Sequence, residues 1–201
     1  VPPAVYWSED FEGEKTLPDR GFEEHKVDWG NNWVLANDPK NADNQDMLLN
    51  KVPSGGKNLK HIVFTEAVKQ AVLEYKVYYT DGAVSFYLPT FQNDKTSGIY
   101  AAHLVLEGDG DLRQNSDGNT IFTNLSKDTW HTIKLVADAV AGKWYLFVDG
   151  AYVPVAANTL AGTGLVGMIS GTTGTANTTN VYFDDFAVCE MIPATGFALT
   201  E

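Results

Sequence analysis

The strongest constraint in this sequence is the run TWHTIKLVADAVAGKWYLFVDG, from Thr129 to Gly150. Ile133, Leu135 and Ala137 alternate with Thr132, Lys134 and Asp138; Trp144, Leu146 and Val148 alternate with Lys143, Tyr145 and Phe147. A period of two carried by β-branched and aromatic residues marks half-buried strands. Ala141-Gly142 predicts the reversal between them. Asp149-Gly150 predicts a second tight turn into Ala151-Tyr152-Val153, because a primed hairpin turn needs residues that accept positive φ.

The same rhythm runs on both sides of this hairpin. In AVLEYKVYYTDG, Leu73, Tyr75, Val77 and Tyr79 share one side; in AVSFYLPTF, Val84, Phe86 and Leu88 do. IYAAHLVLEGDGDL aligns Ala102, Leu104 and Leu106, and further strands are expected from Ile121-Phe122, in GLVGMIS and in NVYFDDFAVCEM. Near the start, YWSEDFEG reads as an acidic edge strand with Trp7, Glu9 and Phe11 on one face. Met47 to Asn50 and His61 to Phe64 read as two more strands around the Pro53-Ser54-Gly55-Gly56 turn. The stretch from Leu17 to Asn50 lacks strong periodicity. Within it, one of Trp29 and Trp33 is expected in the core, and the other is either core or a sugar platform. No stretch has a sustained helical period with caps. Turn signals every ten residues or so predict a sandwich, and 201 residues fit one undivided all-β domain.

Charge narrows the partners. Lys plus Arg number 14 and Asp plus Glu 26, a formal balance of −12. Such a surface repels nucleic-acid backbones and anionic lipid, so neither nucleic acid nor membrane is an expected partner. It disfavours polyanionic polysaccharides too, unless local lysines or a bound cation reverse the field. Cys189 stands alone, which forbids an internal disulfide, and no Cys/His cluster has zinc spacing. No apolar run approaches a membrane span. No leader precedes Val1, which suggests an excised or processed domain, and the Thr/Asn/Gly-rich run GTTGTANTTN favours secretion.

A Trp-His pair opening a strand, a hairpin, and an apolar strand ending in Val-Asp-Gly resemble the laminin-G-like and concanavalin A-like sandwich families. The resemblance covers about 25 residues well and the rest by strand rhythm, and it specifies fold better than function. It implies an all-β, two-sheet antiparallel β-sandwich (jelly roll, concanavalin A-like) over residues 1–192. Residues 193–201, from Pro193 onward, resemble the opening of a bacterial immunoglobulin-like repeat or a linker to one. The implied role is a non-catalytic, monomeric carbohydrate-binding module tethered to other domains of a polysaccharide-degrading enzyme, secreted or on the bacterial cell surface. The alternatives are a lyase or hydrolase of the same fold and a cell-surface adhesion or spacer domain.

The resemblance also implies a metal. In jelly-roll carbohydrate-binding modules, N-terminal strands similar to EDFEG and C-terminal strands similar to YFDDFAV lie adjacent and hold a structural Ca²⁺. Carried over, the ligands are Asp10, Glu12, Asp184 and Asp185. A hard cation needs six to eight oxygens, so carboxylates from two strands with backbone carbonyls suit it. Alternation sets a limit: on an unbroken strand Asp184 and Asp185 face opposite ways, and only a bulge lets both serve. Asp109, Asp111 and Asp117 lie in Gly-rich turns without the spacing of a calcium loop.

For sugar, the expected ligand-binding set is the polar side of the strands from 72 to 136: Glu74, Lys76, Tyr78, Tyr87, His103, Glu107 and Lys134, with Ser85 among them. Aromatic platforms beside hydrogen-bonding groups are what a polysaccharide groove needs. No catalytic residue is assigned. Paired carboxylates could be sought in Glu74 and Glu107, but no Glu-x-Asp-x-x-Glu strand occurs. Arg20 and Arg113, the only arginines, are few for gripping uronates. No Ser-His-Asp order or nucleophile-elbow motif is evident.

Overall fold

The structure, a computed structural model, describes residues 2–25, 33–49, 58–81, 85–96, 100–114, 118–172 and 179–192. Its strands are β1 (Val5–Glu9), β2 (Phe22–His25), β3 (Trp33–Asn37), β4 (Gln45–Leu49), β5 (Asn58–Ile62), β6 (Gln70–Tyr79), β7 (Ser85–Gln92) and β8 (Val105–Glu107). They continue as β9 (Leu112–Arg113), β10 (Thr120–Phe122), β11 (His131–Asp138), β12 (Lys143–Val148), β13 (Ala151–Val153), β14 (Gly167–Thr172) and β15 (Val181–Cys189). The first sheet runs β13-β12-β11-β6-β15-β4-β3, with β1 also on β15; the second runs β10-β9-β8-β7-β14-β5-β2. All pairings are antiparallel, and one 3₁₀ turn, Pro18–Arg20, is the only helical element among the described residues.

The central hairpin forms as the pattern dictates. Ile133 opposes Val148, Leu135 opposes Leu146 and Ala137 opposes Trp144, all facing the core. Gly142 takes φ 67° at the first reversal, and Asp149 and Gly150 take φ 50° and 80° at the second. The two sheets meet through large side chains. Phe183 of β15 lies 5.9 Å from Phe86 of β7 across the sandwich, and 6.1 Å from both Trp33 and Tyr75 within its own sheet.

Several local expectations needed revision. The Leu17–Asn50 stretch contains β2 and β3, which carry too few alternating residues to show in the sequence. Trp33 is 1% exposed in the core, whereas Trp29 lies outside the described residues, as does Val84. The Pro53-Ser54-Gly55-Gly56 turn and the tail from Pro193 also lie outside them. The run from Tyr100 to Leu112 holds only the short β8 before a turn and β9. The first strand stops at Glu9 because Phe11 adopts φ 58°, which swings its ring into the core against Phe22 and Phe186.

Arg20 sets the path of that N-terminal turn. Its guanidinium pairs with Glu9 and donates to the carbonyls of Phe11 and Glu12 at 2.9 and 2.8 Å, while Nε donates to Lys15 at 2.9 Å. One of the two arginines is thereby used inside the fold.

Truncating Phe183 to Ala removes the contact joining the sheets and should lower stability by about 3–5 kcal/mol. Urea unfolding measures it, and a loss below about 1 kcal/mol would mean that the sheets do not depend on that ring.

Candidate functional site

The edge of β15 facing β1 and β4 is divided. β4 pairs with Val181 to Phe183, and β1 pairs with Phe186 to Cys189, leaving Asp184 and Asp185 between the two partners. The ladder to β6 breaks register between Asp184 and Ala187, and Asp185 takes φ 51°. The bulge re-aims the pair: Asp184 is 6% exposed, whereas Asp185 turns to solvent and pairs with Lys76 at 2.5 Å.

Asp184 is not alone there. Continuing the β15–β4 register past Phe183 and Met47 sets Asp46 beside it, and Asp46 is fully buried. The Asn44 amide donates to Asp184 Oδ2 at 3.1 Å and Asp46 Oδ1 at 3.4 Å. Asp46 Oδ2 and Asp184 Oδ1 have no partner. Burial, then the charges of Asp38, Asp184, Glu12 and Asp185, push the Asp46 carboxyl up to about 8; burial chiefly raises Asp184 to about 6. Two buried carboxyls with orphaned oxygens are costly unless protonated or joined by a cation. The two orphaned carboxylate oxygens are hard donors that would suit a hard cation completed by backbone carbonyls and water, while the Asn44 NH2 holds the other two oxygens in place. Among the described residues no three acidic, His or Cys side chains close on one point.

The other metal candidates stand around this centre. Glu12 Oε1 accepts the Gln45 N–H at 2.8 Å, fastening the N-terminal turn to β4. Asp10 Oδ1 accepts the Glu12 N–H at 3.1 Å and points away from Asp46 as an exposed turn residue. Asp46 and Asn44 carried no sequence signal: a lone Asp in a weakly periodic stretch becomes meaningful only once β4 lies beside β15.

The seven expected sugar-binding residues do not share one face. Glu74, Lys76 and Tyr78 on β6 and Lys134 on β11 line the outer face of the first sheet. Tyr87 on β7, Glu107 on β8 and His103 just before β8 belong to the second. On the first sheet Glu74 lies across from Lys134, whose ammonium caps the Phe147 ring at 4.9 Å. Tyr78 is buried under Trp130, Tyr182 and Lys40 and donates to Asp128 at 3.1 Å. Tyr78, Lys76 and Lys134 on that face are thus already engaged. Glu74 and Glu107 stand on different sheets and cannot flank one glycosidic bond.

The second sheet's outer face is built differently. One cross-strand row runs Arg113, Val105, Tyr87, Gly171, Asn58. Tyr87, Tyr100 and His103 form a three-ring cluster with centroids 4.9, 5.3 and 5.2 Å apart. A side chain at position 171 would collide with Asn58 Oδ1 and the Tyr100 hydroxyl, so glycine lets those polar groups converge over the sheet. The Tyr100 ring is 91% buried, yet its hydroxyl has no partner. Alongside opens a crevice of about 330 Å³ lined by Tyr100, His103, Gln114, Trp144 and Thr159. Tyr75 also keeps an unpaired hydroxyl, but in the sealed core, where no ligand enters. Tyr100, Asn58 and Gly171 escaped notice because their juxtaposition is a product of register across β5, β14 and β7.

The fold also assembles a Ser-His-Asp grouping that chain order did not advertise. His131 Nδ1 lies 2.7 Å from Asp149 Oδ2, and Nε2 lies 3.0 Å from Ser126 Oγ. The same Nε2 is 3.0 Å from the Ser126 carbonyl oxygen, which only accepts. That nitrogen thus sits against both the hydroxyl and the carbonyl of the same residue. Asp149 also accepts the Thr132 N–H at 2.8 Å, so the grouping clamps the 126 loop to the 149 turn.

The two buried carboxyls give the cation-free protein a definite pH dependence. Their folded-state pKa values are raised, so between about pH 4 and 8 the native state holds protons that the unfolded chain has released. Their stabilising contribution is complete below the unfolded pKa and is lost as pH rises through about 6 and about 8. Denaturant melts in EDTA should show lower stability at pH 9 than at pH 5. Asp46→Asn should flatten the upper part of that slope, and an unchanged slope would contradict the assignment.

No family profile matches the sequence, and no curated protein matches it. Solved structures do. A sialidase superposes with TM-score 0.69 and 12% identity over 94% of this chain, which spans only 19% of that protein. The alginate lyase AlgAT5 of polysaccharide lyase family 7 gives 0.59 and 12% over 89% of this chain and 90% of its own. The carbohydrate recognition domain of Emp47p gives 0.53 and 11% over 94% and 97%. Likeness at such identities is likeness of fold. The chain is an all-β, two-sheet antiparallel sandwich of the jelly-roll, concanavalin A-like kind, an architecture shared with carbohydrate-recognition and lyase domains.

Proposed function

We propose that this domain is a non-catalytic carbohydrate-binding module that holds its ligand on the outer face of the second sheet. The observation that carries the reading is the unpartnered, buried hydroxyl of Tyr100, set between the Tyr87 and His103 rings and the Asn58 amide. Sugars present apolar faces that stack on aromatic rings and hydroxyls that satisfy waiting polar groups. The carbohydrate-recognition names among the structural neighbours support the same ligand class.

In this reading a Ca²⁺ ion is structural, held by Asp46 and Asp184, which the Asn44 amide positions, with carbonyls from the surrounding turns. It joins the N-terminal turn, β4 and β15, and takes no part in sugar chemistry. The module occupies residues 1–192 as a monomer, tethered to other domains of a secreted or cell-surface protein. Its span of 19% of the sialidase accords with modular use, where tethering converts modest affinity into retention.

A second reading, a polysaccharide lyase, draws on the near full-length match to an alginate lyase. The chemistry would fall to His103 and the neighbouring tyrosines. The expected Arg- and Gln-x-His-bearing strands do not occur in the sequence. Incubation with a polysaccharide panel separates the two readings: the module retains polysaccharide and releases no new ends, whereas unsaturated ends would establish the lyase.

Tyr87→Ala should weaken retention at least about tenfold, about 1.4 kcal/mol, while Tyr78→Ala leaves it unchanged. Equal losses from both would move the site off the second sheet. Calcium should raise the thermal midpoint of the native protein and not that of Asp46→Asn, as differential scanning fluorimetry with and without EDTA measures. A midpoint indifferent to calcium would remove the metal from the account.

A further inference from the structure

We infer that the sugar bound on the second sheet carries one carboxylate, and that Arg113 receives it; the inference rests on the carbohydrate reading above. Arg113 is half-buried on β9, facing outward in the same cross-strand row as Tyr87 and Asn58. Leu112 before it points into the core, which leaves the Arg113 side chain no other face. Its Nε is buried without a partner, and among the described residues the guanidinium pairs with no acidic side chain. In a chain of formal charge −12 that is unexpected, because acids outnumber bases and the other arginine is fully engaged with Glu9 and backbone carbonyls.

A partly desolvated guanidinium without an acceptor is unfavourable, and a planar carboxylate meets its fork with two parallel hydrogen bonds. Arg113 lies two strands from Tyr87, roughly 10 Å at the usual spacing. Val105, between them in the row, is fully buried, so a ligand that stacks on Tyr87 and satisfies Tyr100 reaches Arg113 past the side chains that cover that position. The charge balance limits how many acidic groups that ligand bears. A single guanidinium in this cross-strand row, in a chain of formal charge −12, suits a single carboxylate on an otherwise neutral glycan, whereas a dense polyanion is repelled by the remaining surface.

The test compares three probes by isothermal titration: a neutral oligosaccharide capped by one uronic acid, the same molecule with its carboxyl reduced to the alcohol, and an all-uronate oligomer of equal length. The inference predicts tightest binding for the first and at least about a tenfold loss on reduction. Arg113→Gln should bind the first two probes equally, with an unchanged thermal midpoint reporting an intact fold. Equal affinity of the native protein for acid and alcohol would overturn the inference and leave the carbohydrate reading standing. Tightest binding of the all-uronate oligomer would overturn the single-carboxylate limit. Failure to bind any of the probes, or any member of the polysaccharide panel, would overturn both readings. Reduction of the probe leaves the protein untouched, so the result does not depend on how the variant folds.

Discussion

The divided edge of β15 is the constraint on which the rest depends. The strand is central to the first sheet, with β6 along one side and β4 and β1 sharing the other. Because two partners share that edge, its backbone must break between them, and the bulge at Asp184-Asp185 is where it does. Phe183 and Phe186 on either side point inward, 6.2 Å apart, anchoring the core against Tyr75 and Phe86. The polar residues of the bulge have to be accommodated outside that core. Asp184 is thereby pressed against Asp46, and the N-terminal turn folds over them under the control of Arg20 and Glu12.

The two sheets handle their outer faces in opposite ways. On the first, charges and rings find each other: Lys134 with Phe147, Lys76 with Asp185, Tyr78 with Trp130 and Lys40. Exposed pairs of this kind contribute little and are screened by salt. On the second, Tyr100 and Arg113 retain unsatisfied atoms, as does Gln92 Oε1, although polar residues beside them are paired. Thr90 donates to Ala102 at 2.7 Å, and Ser170 to Tyr87 at 2.8 Å. Unpaired groups beside well-paired ones on a ring-lined surface point to a ligand.

Legibility followed locality. The central hairpin, its two turns, the inward residues of β6, β11 and β12 and the existence of β15 could be read because alternation and turn chemistry act within a few residues. A core indole from the Trp29/Trp33 pair, which proves to be Trp33, and the adjacency of the first and last strands were likewise anticipated. The groove was not, because alternation says that Lys76 and Tyr87 both face outward and is silent on which sheet each belongs to. The acidic ends drew attention to Asp184, yet its partner Asp46 comes from a stretch with little pattern. Asn58, Gly171 and Tyr100 converge only through strand order, a non-local property that no window of sequence contains.

The central claim is the placement of the sugar site on the second sheet. Amide chemical-shift mapping with the best-retained oligosaccharide addresses it most directly, since every strand reports at once. The account predicts perturbations concentrated at Asn58, Tyr87, His103 and Gly171, with β6 and β11 unmoved. Perturbations gathered instead around Tyr78, Trp130 and Tyr182 would contradict it and transfer the site to the opposite side of the sandwich.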